Sequence, residues 1–565
     1  MTTAKATPSA PGKRTPGKRD RLWRKVDAAS RPADEPSRRV WVLHPMLLAA
    51  YSVLALWSAN LGEVSLTDTL TTLIVVMTGT GLLYLALRLT LPGRPAHAGL
   101  ICSFLLLVCL FYGYGAALAA LPWGGSVSYV NFHLGLFLAV FVLSILFAAF
   151  ILRRSTSLRR PTLVLNVATA SLVLVSAGQI GHYEWPNRGH DAFVDALIES
   201  EPTQDGRPVA TVPPARDGAR SIYYLILDRY AGFTTMSTQF GYENRDFRRF
   251  LEDKGFFVAS GSRSNYLKTA PSLASTFHMD YLGVLSDGIG KDSSDYRPIH
   301  RMLQKNRVAR FLKNRDYTIA HIGSWWQATK KNDYADELYS EDIGEFERVF
   351  SEMTIFAPVL RLAWRDNPYL YHANLDVGQC RRVPRTFDIL RALHRRPDPV
   401  FAFAHILVPH PPFIFDDQGN CRPQGAADGQ SLRDKYVDQV KYINREIEQL
   451  VSTLLASPGE APIIIIQADE GPYPARYSSN GWSNNGDWRQ ATRDELRMKT
   501  DILNAYYFPD AGYDLLYDEI TPVNTFRILF NTYFGTKFEL LPDLTFASID
   551  DLHPYDLFDV TQIVR

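Results

Sequence analysis

Three segments of the chain place reactive side chains at the end of a short apolar run. Asp228 follows residues 221–227. Asp469 and Glu470 follow residues 462–467, which hold four isoleucines in a row. His405 and His410 belong to the run His405-Ile406-Leu407-Val408-Pro409-His410-Pro411-Pro412. One acidic residue after a strand is often only a helix cap or a turn residue. Two acidic sites and two histidines in the same setting are harder to dismiss as turns. Carboxylates drawn together without basic partners repel one another, and their pKa values rise unless a cation lies between them. The pattern points to a bound metal ion.

A fourth segment supplies a nucleophile. It reads Asn265-Tyr266-Leu267-Lys268-Thr269-Ala270-Pro271-Ser272-Leu273-Ala274-Ser275, and the residues on to Leu282 are compatible with a helix. Pro271 suits the first helical turn, which puts Thr269 at the helix start. Backbone N–H groups at such a start form a natural anion site. A threonine hydroxyl is a poor nucleophile until a metal or a base lowers its pKa. Taken alone, the segment reads equally as an ordinary capping threonine.

The elements that must position these groups follow from residue patterning. Residues 221–227, 256–259, 317–322, 401–407 and 462–467 read as strands, the last too rich in β-branched side chains to prefer helix. Residues 243–254 and 431–455 have helical spacing. This alternation predicts a mainly parallel sheet flanked by helices. In such folds ligands sit at the carboxyl ends of strands, where the acidic and histidine residues stand. Trp325 and Trp326 follow another strand end, and could grip a substrate with an aromatic face or simply be core or surface tryptophans.

The remainder of the chain is of a different kind. Of its 565 residues, the first 40 are polar and hold eleven Lys/Arg against four Asp/Glu. Five apolar stretches follow, at about 41–60, 67–88, 98–121, 131–152 and 162–181. Each is close to the roughly 20 residues needed to cross a hydrocarbon core. Arg88 and Arg94 follow the second stretch, and Arg153, Arg154, Arg159 and Arg160 follow the fourth. The loops at 61–66 and 124–129 carry no Lys or Arg. Basic loops stay inside, so the expected layout is a disordered basic cytoplasmic tail (1–40), a five-helix transmembrane domain (41–181), a connector (182–218) and an extracytoplasmic α/β domain (219–565). The connector has room for a short interfacial helix at 191–200. A net charge of +1 gives no hint of a nucleic-acid partner. Cys102 and Cys109 lie in an apolar stretch, while Cys380 and Cys421 could pair if their domain lies outside the cytoplasm, a pairing the sequence alone leaves open.

Taken together, these segments resemble the alkaline phosphatase/sulfatase superfamily, and most of all its membrane-anchored branch of lipoteichoic acid synthases and phosphoethanolamine transferases. The resemblance implies a multi-pass plasma-membrane enzyme with a sulfatase-like outer domain. Asp228 matches the family's strand-end acid, Thr269 in Thr-Ala-Pro-Ser-Leu its nucleophile, and Asp469 the Asp of its Asp-His pair. His410 matches a histidine that contacts phosphate or substrate, and His405 precedes it at a similar spacing. The chain departs from the pattern at Glu470, which stands where the family has histidine. With Asp228, Thr269, Asp469 and Glu470 as ligands, the implied set is all oxygen. That set favours Mg²⁺ or Mn²⁺ over Zn²⁺. Sulfatases proper need Cys or Ser at the position of Thr269 and Arg at that of Leu273, so sulfate ester cleavage is disfavoured. The implied reaction moves a phospho-substituent from a membrane lipid to a cell-envelope glycan or lipid through a threonine adduct. A phosphodiesterase that uses water is the alternative. A surface assembly protein that has lost catalysis, as the Glu470 departure would allow, is another.

Overall fold

The computed structural model describes residues 40–120, 129–154, 157–200, 203–204, 207–208, 219–340, 344–363, 375–422, 429–456, 460–479, 481–511 and 513–565. The basic tail, the loop at 124–128 and the Pro-rich part of the connector at 209–218 lie outside these residues.

Each of the five apolar stretches is helical, but they are not five equal spans. Helix α1 (His44–Ser58) has 15 residues, α2 (Leu66–Thr90) has 25, α5 (Tyr129–Leu152) has 24 and α6 (Arg159–Asn187) has 29. Among the described residues, three helical segments, those of α2, α5 and α6, are long and apolar enough to cross a membrane alone. The third stretch is broken into α3 (Pro95–Leu110) and α4 (Tyr112–Ala120), bent by 57° and equivalent to a fourth span if counted as one. The expectation of five full spans is corrected at α1 and at this bend. Pro45 fixes the start of α1 in its first turn, and the chain turns away at Ala59. At the bend, the Cys109 carbonyl accepts from the Ile355 N–H at 2.8 Å, and the Gly113 N–H donates to the Met353 carbonyl at 2.8 Å. Backbone groups freed by the break are thus paired by a segment of the C-terminal domain, the condition under which broken helices are tolerated at membrane depth.

The connector helix α7 (His190–Glu199) falls where a helix is expected. It is not free to lie on a membrane surface, because Val194 and Ile198 are fully buried in the core of the C-terminal domain. Asp195 also pairs with Arg301 at 2.6 Å.

The C-terminal domain is built on one seven-stranded sheet. Its strands are β1 (Ile222–Leu227), β2 (Phe257–Val258), β3 (Thr318–Ile322), β4 (Glu337–Leu338), β5 (Val400–Ile406), β6 (Ile463–Gln467) and β7 (Asn504–Tyr507), in the order β2-β7-β6-β1-β5-β3-β4. The five strands from β6 to β4 are parallel, and β7 runs antiparallel to β6 and β2. β1, β5 and β6 are wholly buried, as strands covered on both faces must be. One face carries Tyr224, Ile226, Phe401, Phe403, Ile463 and Ile465 under helix α8 (Thr269–His278). The other carries Tyr223, Leu225, Ala402, Ala404, Ile464 and Ile466 under α11 (Leu375–Leu393) and α12 (Leu432–Ala456). Cys380 and Cys421 form a disulfide.

Candidate active site

Strand parity brings the site together. Successive side chains alternate between faces of a sheet. Residues 224 and 226 on β1 with 228 just beyond it, 401, 403 and 405 on β5, and 463, 465 and 467 with 469 beyond β6 therefore point to the α8 face. The parallel register pairs Ile226 with both His405 and Gln467, so the three strand ends lie side by side. Asp228, His405 and Asp469 are all buried, and each offers a ligand atom within 4.8 Å of the others. The His405 Nε2 atom lies 3.2 Å from Asp228 Oδ2.

The ring of His405 is oriented from behind. Its Nδ1 atom lies 2.8 Å from the Thr329 hydroxyl, which leaves Nε2 for the cluster. Asp469 Oδ1 accepts from the Arg229 N–H at 3.1 Å. Asp228 Oδ1, His405 Nε2 and Asp469 Oδ2 remain without hydrogen-bond partners although buried. Orphaned buried polar atoms are costly, and three of them converging from three strands make a seat for a cation. Burial pushes the Asp469 carboxyl well up, and the nearby Asp228 and Glu470 push it further. A bound cation would reverse that.

Thr269 opens α8 after Lys268, whose backbone is extended. Its side chain lies near enough to Asp469 to pull that carboxyl's pKa down, and it is half-buried, so it can be reached from outside. Helix α8 ends at His278, short of Leu282, because Met279 adopts a left-handed conformation. Ser272, one turn into the helix, donates to the Asp469 carbonyl at 2.6 Å and ties the nucleophile's helix to the ligand's strand end.

Glu470 does something else. It is one residue out of phase with Asp469, and its Oε1 accepts from Arg229 Nε at 2.9 Å and pairs with Lys499 Nζ at 2.8 Å. It is not part of the Asp–His–Asp group. His405, and not Glu470, stands with Asp228 and Asp469 in that group, which brings one imidazole nitrogen together with two carboxylates.

His410 is buried with its ring edge-on to Trp482 at 5.0 Å. Burial and the Arg229 guanidinium push its imidazole down to about 3, so it is neutral. Trp325 is buried with the Arg348 guanidinium over its ring at 4.9 Å, while Trp326 is half-buried and 6.1 Å from the His405 ring. Only Trp326 of this pair lies against the cluster.

Arg229 and Lys499 escaped the sequence reading. Arg229 follows Asp228 directly with a positive φ of 61°, which turns its side chain back under the site. Lys499 is fully buried on α13 (Arg493–Thr500), and both cations lie over the Tyr473 ring, at 4.4 and 3.6 Å. A basic residue beside a strand-end acid was a local hint for Arg229. No spacing links Lys499 to the site.

The family model for sulfatases matches residues 229–528. The chain belongs to the sulfatase family. Among solved structures similar to this sulfatase-family chain is the C-terminal periplasmic domain of EcEptC from Escherichia coli in complex with Zn. It is 10% identical with a TM-score of 0.39, over 62% of this chain and 96% of that one. The integral membrane protein lipooligosaccharide phosphoethanolamine transferase A from Neisseria meningitidis is 13% identical with a TM-score of 0.36, over 87% and 94%. The C-terminal periplasmic domain of phosphoethanolamine transferase EptC from Campylobacter jejuni is 12% identical with a TM-score of 0.36, over 60% and 95%. No curated protein matches the chain.

Proposed function

We propose that this sulfatase-family protein is a membrane-bound, metal-dependent phosphotransferase that uses Thr269 as its nucleophile. The observation that carries the reading is the convergence of Asp228, His405 and Asp469, each with an unpartnered buried ligand atom, beside the helix that Thr269 opens and that Ser272 ties to Asp469. Asp228, Asp469, His405 and the Thr269 oxygen would hold one divalent ion. When bound, that ion supplies positive charge that lowers the threonine pKa and offsets charge on the phosphate. A set with one imidazole nitrogen suits Zn²⁺ or Mn²⁺ better than Mg²⁺.

The chain's own groups account for the rest. The Thr269 oxygen attacks the phosphorus of a phospholipid phosphodiester, and the proton it loses is passed, by way of His410, to the departing diacylglycerol oxygen. The bond from phosphorus to the diacylglycerol oxygen breaks, and a phospho-threonine diester remains. Helix α8 directs its first N–H groups at the phosphate oxygens. His410, neutral and near the cluster, is the group placed to hydrogen-bond the phosphate or the leaving oxygen. An acceptor hydroxyl on a cell-envelope glycan or lipid then takes the substituent and regenerates Thr269. With the apolar helices in the membrane and residues 219–565 outside the cytoplasm, the site stays within reach of lipid donors.

The test is diacylglycerol release from labelled phospholipid by the full chain in nanodiscs with a divalent metal. Wild type should release it and Thr269→Ala should not. Full release by Thr269→Ala would remove the threonine mechanism.

A further inference from the structure

A cavity of about 700 Å³ opens among the membrane helices, at the face away from the C-terminal domain. The start of α1, the first part of α3, the end of α5 and the start of α6 wall it. These ends lie opposite the domain. The turn at the far end of α1 meets the domain, where the Gly62 carbonyl accepts from the Tyr296 N–H at 2.8 Å, and α6 runs from the cavity toward the connector. Leu48, Leu107, Ile151 and Leu165 give the cavity an apolar wall. Its size is within the roughly 300–1,000 Å³ of ligand pockets.

Asn166 on α6 fixes the start of α1 at this wall. Its Oδ1 accepts from the Leu43 and His44 N–H groups at 3.0 and 2.9 Å, and its Nδ2 donates to the Trp41 carbonyl at 2.6 Å. These bonds take up N–H groups that a helix start leaves free. They also set His44 into the lining. His44 is fully buried, with Nδ1 2.6 Å from the Ser103 hydroxyl and Nε2 without a hydrogen-bond partner. With the Ser103 hydroxyl donating to Nδ1, the ring carries its proton on Nε2, a donor with no acceptor. Such a group is costly among apolar helices unless a ligand satisfies it.

The second polar feature is a cation. Arg154, just past the end of α5, lines the cavity and is exposed, with its guanidinium 4.3 Å from the Phe150 ring centroid. No acid of the membrane helices opposes it. From Thr69 to Tyr183 the chain carries six arginines and no Asp, Glu or Lys. Charge therefore selects among occupants. The first 40 residues, with eleven Lys/Arg against four Asp/Glu, do not complement Arg154. A soluble anion does not match the apolar wall. An anionic lipid matches both, as basic pockets between membrane helices do in general.

We propose that this cavity holds one anionic phospholipid from the leaflet opposite the C-terminal domain. An acyl chain fills the apolar part, the phosphate meets Arg154, and His44 Nε2 donates to a glycerol ester or phosphate oxygen. The site lies across the membrane domain from Thr269, so it is a structural lipid site and stands whether or not the protein is a transferase. In the test, the full chain in detergent is titrated with phosphatidylglycerol and with phosphatidylcholine of the same acyl chains, and bound lipid is counted by native mass spectrometry. One phosphatidylglycerol should bind per chain, about fivefold more tightly than phosphatidylcholine, the worth of one basic residue at a membrane surface. Arg154→Gln, at an exposed position that the fold does not depend on, should erase that preference. Arg153→Gln, outside the cavity lining, should keep it. Leu107→Trp, half exposed on the wall, should fill the cavity and weaken both lipids. Free glycerol 3-phosphate should not compete. Equal binding of the two lipids by wild type, equal effects of the two arginine substitutions, competition by glycerol 3-phosphate, or a chain dimer that excludes lipid would overturn the site.

Discussion

His405 Nε2 lies 3.2 Å from Asp228 Oδ2, across the paired ends of β5 and β1. This contact places a histidine in the buried Asp–His–Asp group, from a different strand than the residue after Asp469 would have done. His405→Ala should therefore lower divalent-metal affinity by at least about 10²-fold, more than the loss of an outer-shell partner. Metal content of the purified protein by mass spectrometry checks this. Unchanged stoichiometry at limiting metal would remove His405 from the ligand set.

Glu470→Gln should separate structure from metal binding. The substitution leaves Arg229 and Lys499 buried without their shared carboxylate, which should cost about 3–5 kcal/mol of stability. Metal affinity should change little, because Glu470 Oε1 is taken by the two cations and Glu470 is not in the Asp–His–Asp group. A denaturant midpoint and a metal titration on the same sample give both numbers. A variant of normal stability that has lost its metal would restore Glu470 as a ligand.

Metal binding should release protons. Without an ion, the Asp469 carboxyl is pushed well above its ordinary value of 3.8 by burial, Asp228 and Glu470, and so holds a proton that the ion must displace. The sign is fixed: apparent affinity rises as pH rises through the range in which Asp469 titrates, and levels off above it. Calorimetric titrations in buffers of different ionisation enthalpy should give different heats. Identical heats in all buffers would contradict the assignment.

Much of this site was legible in residue order. Apolar runs ending in Asp228 and Asp469 predicted strand ends, and strand ends are where the sheet gathers ligands. Thr269 was legible from Pro271 and the helical run after it. That His405 would stand beside Asp228 and Asp469 was legible in principle through parity, since 401, 403 and 405 share a face with 224, 226 and 228, while 470 is out of step with 463, 465, 467 and 469. It was obscured because the Asp469-Glu470 dipeptide resembles a ligand pair. Lys499 could not be found this way, because only the packing of α13 under the site brings it to Glu470. The membrane helices showed the same limit. Hydropathy located all the apolar stretches, but the bend after Leu110 depends on backbone pairing with residues 353 and 355, some 240 residues away in the chain.

The most direct test of the central claim is the intact mass of the full chain after incubation with phospholipid and Mn²⁺ or Zn²⁺, with peptide mapping of residues 265–275. The account predicts a phospho-substituent on Thr269, absent from Thr269→Ser only if serine turns over faster than it accumulates and absent from Thr269→Ala altogether. An adduct on another residue, or diacylglycerol release with Thr269 replaced by Ala, would contradict it.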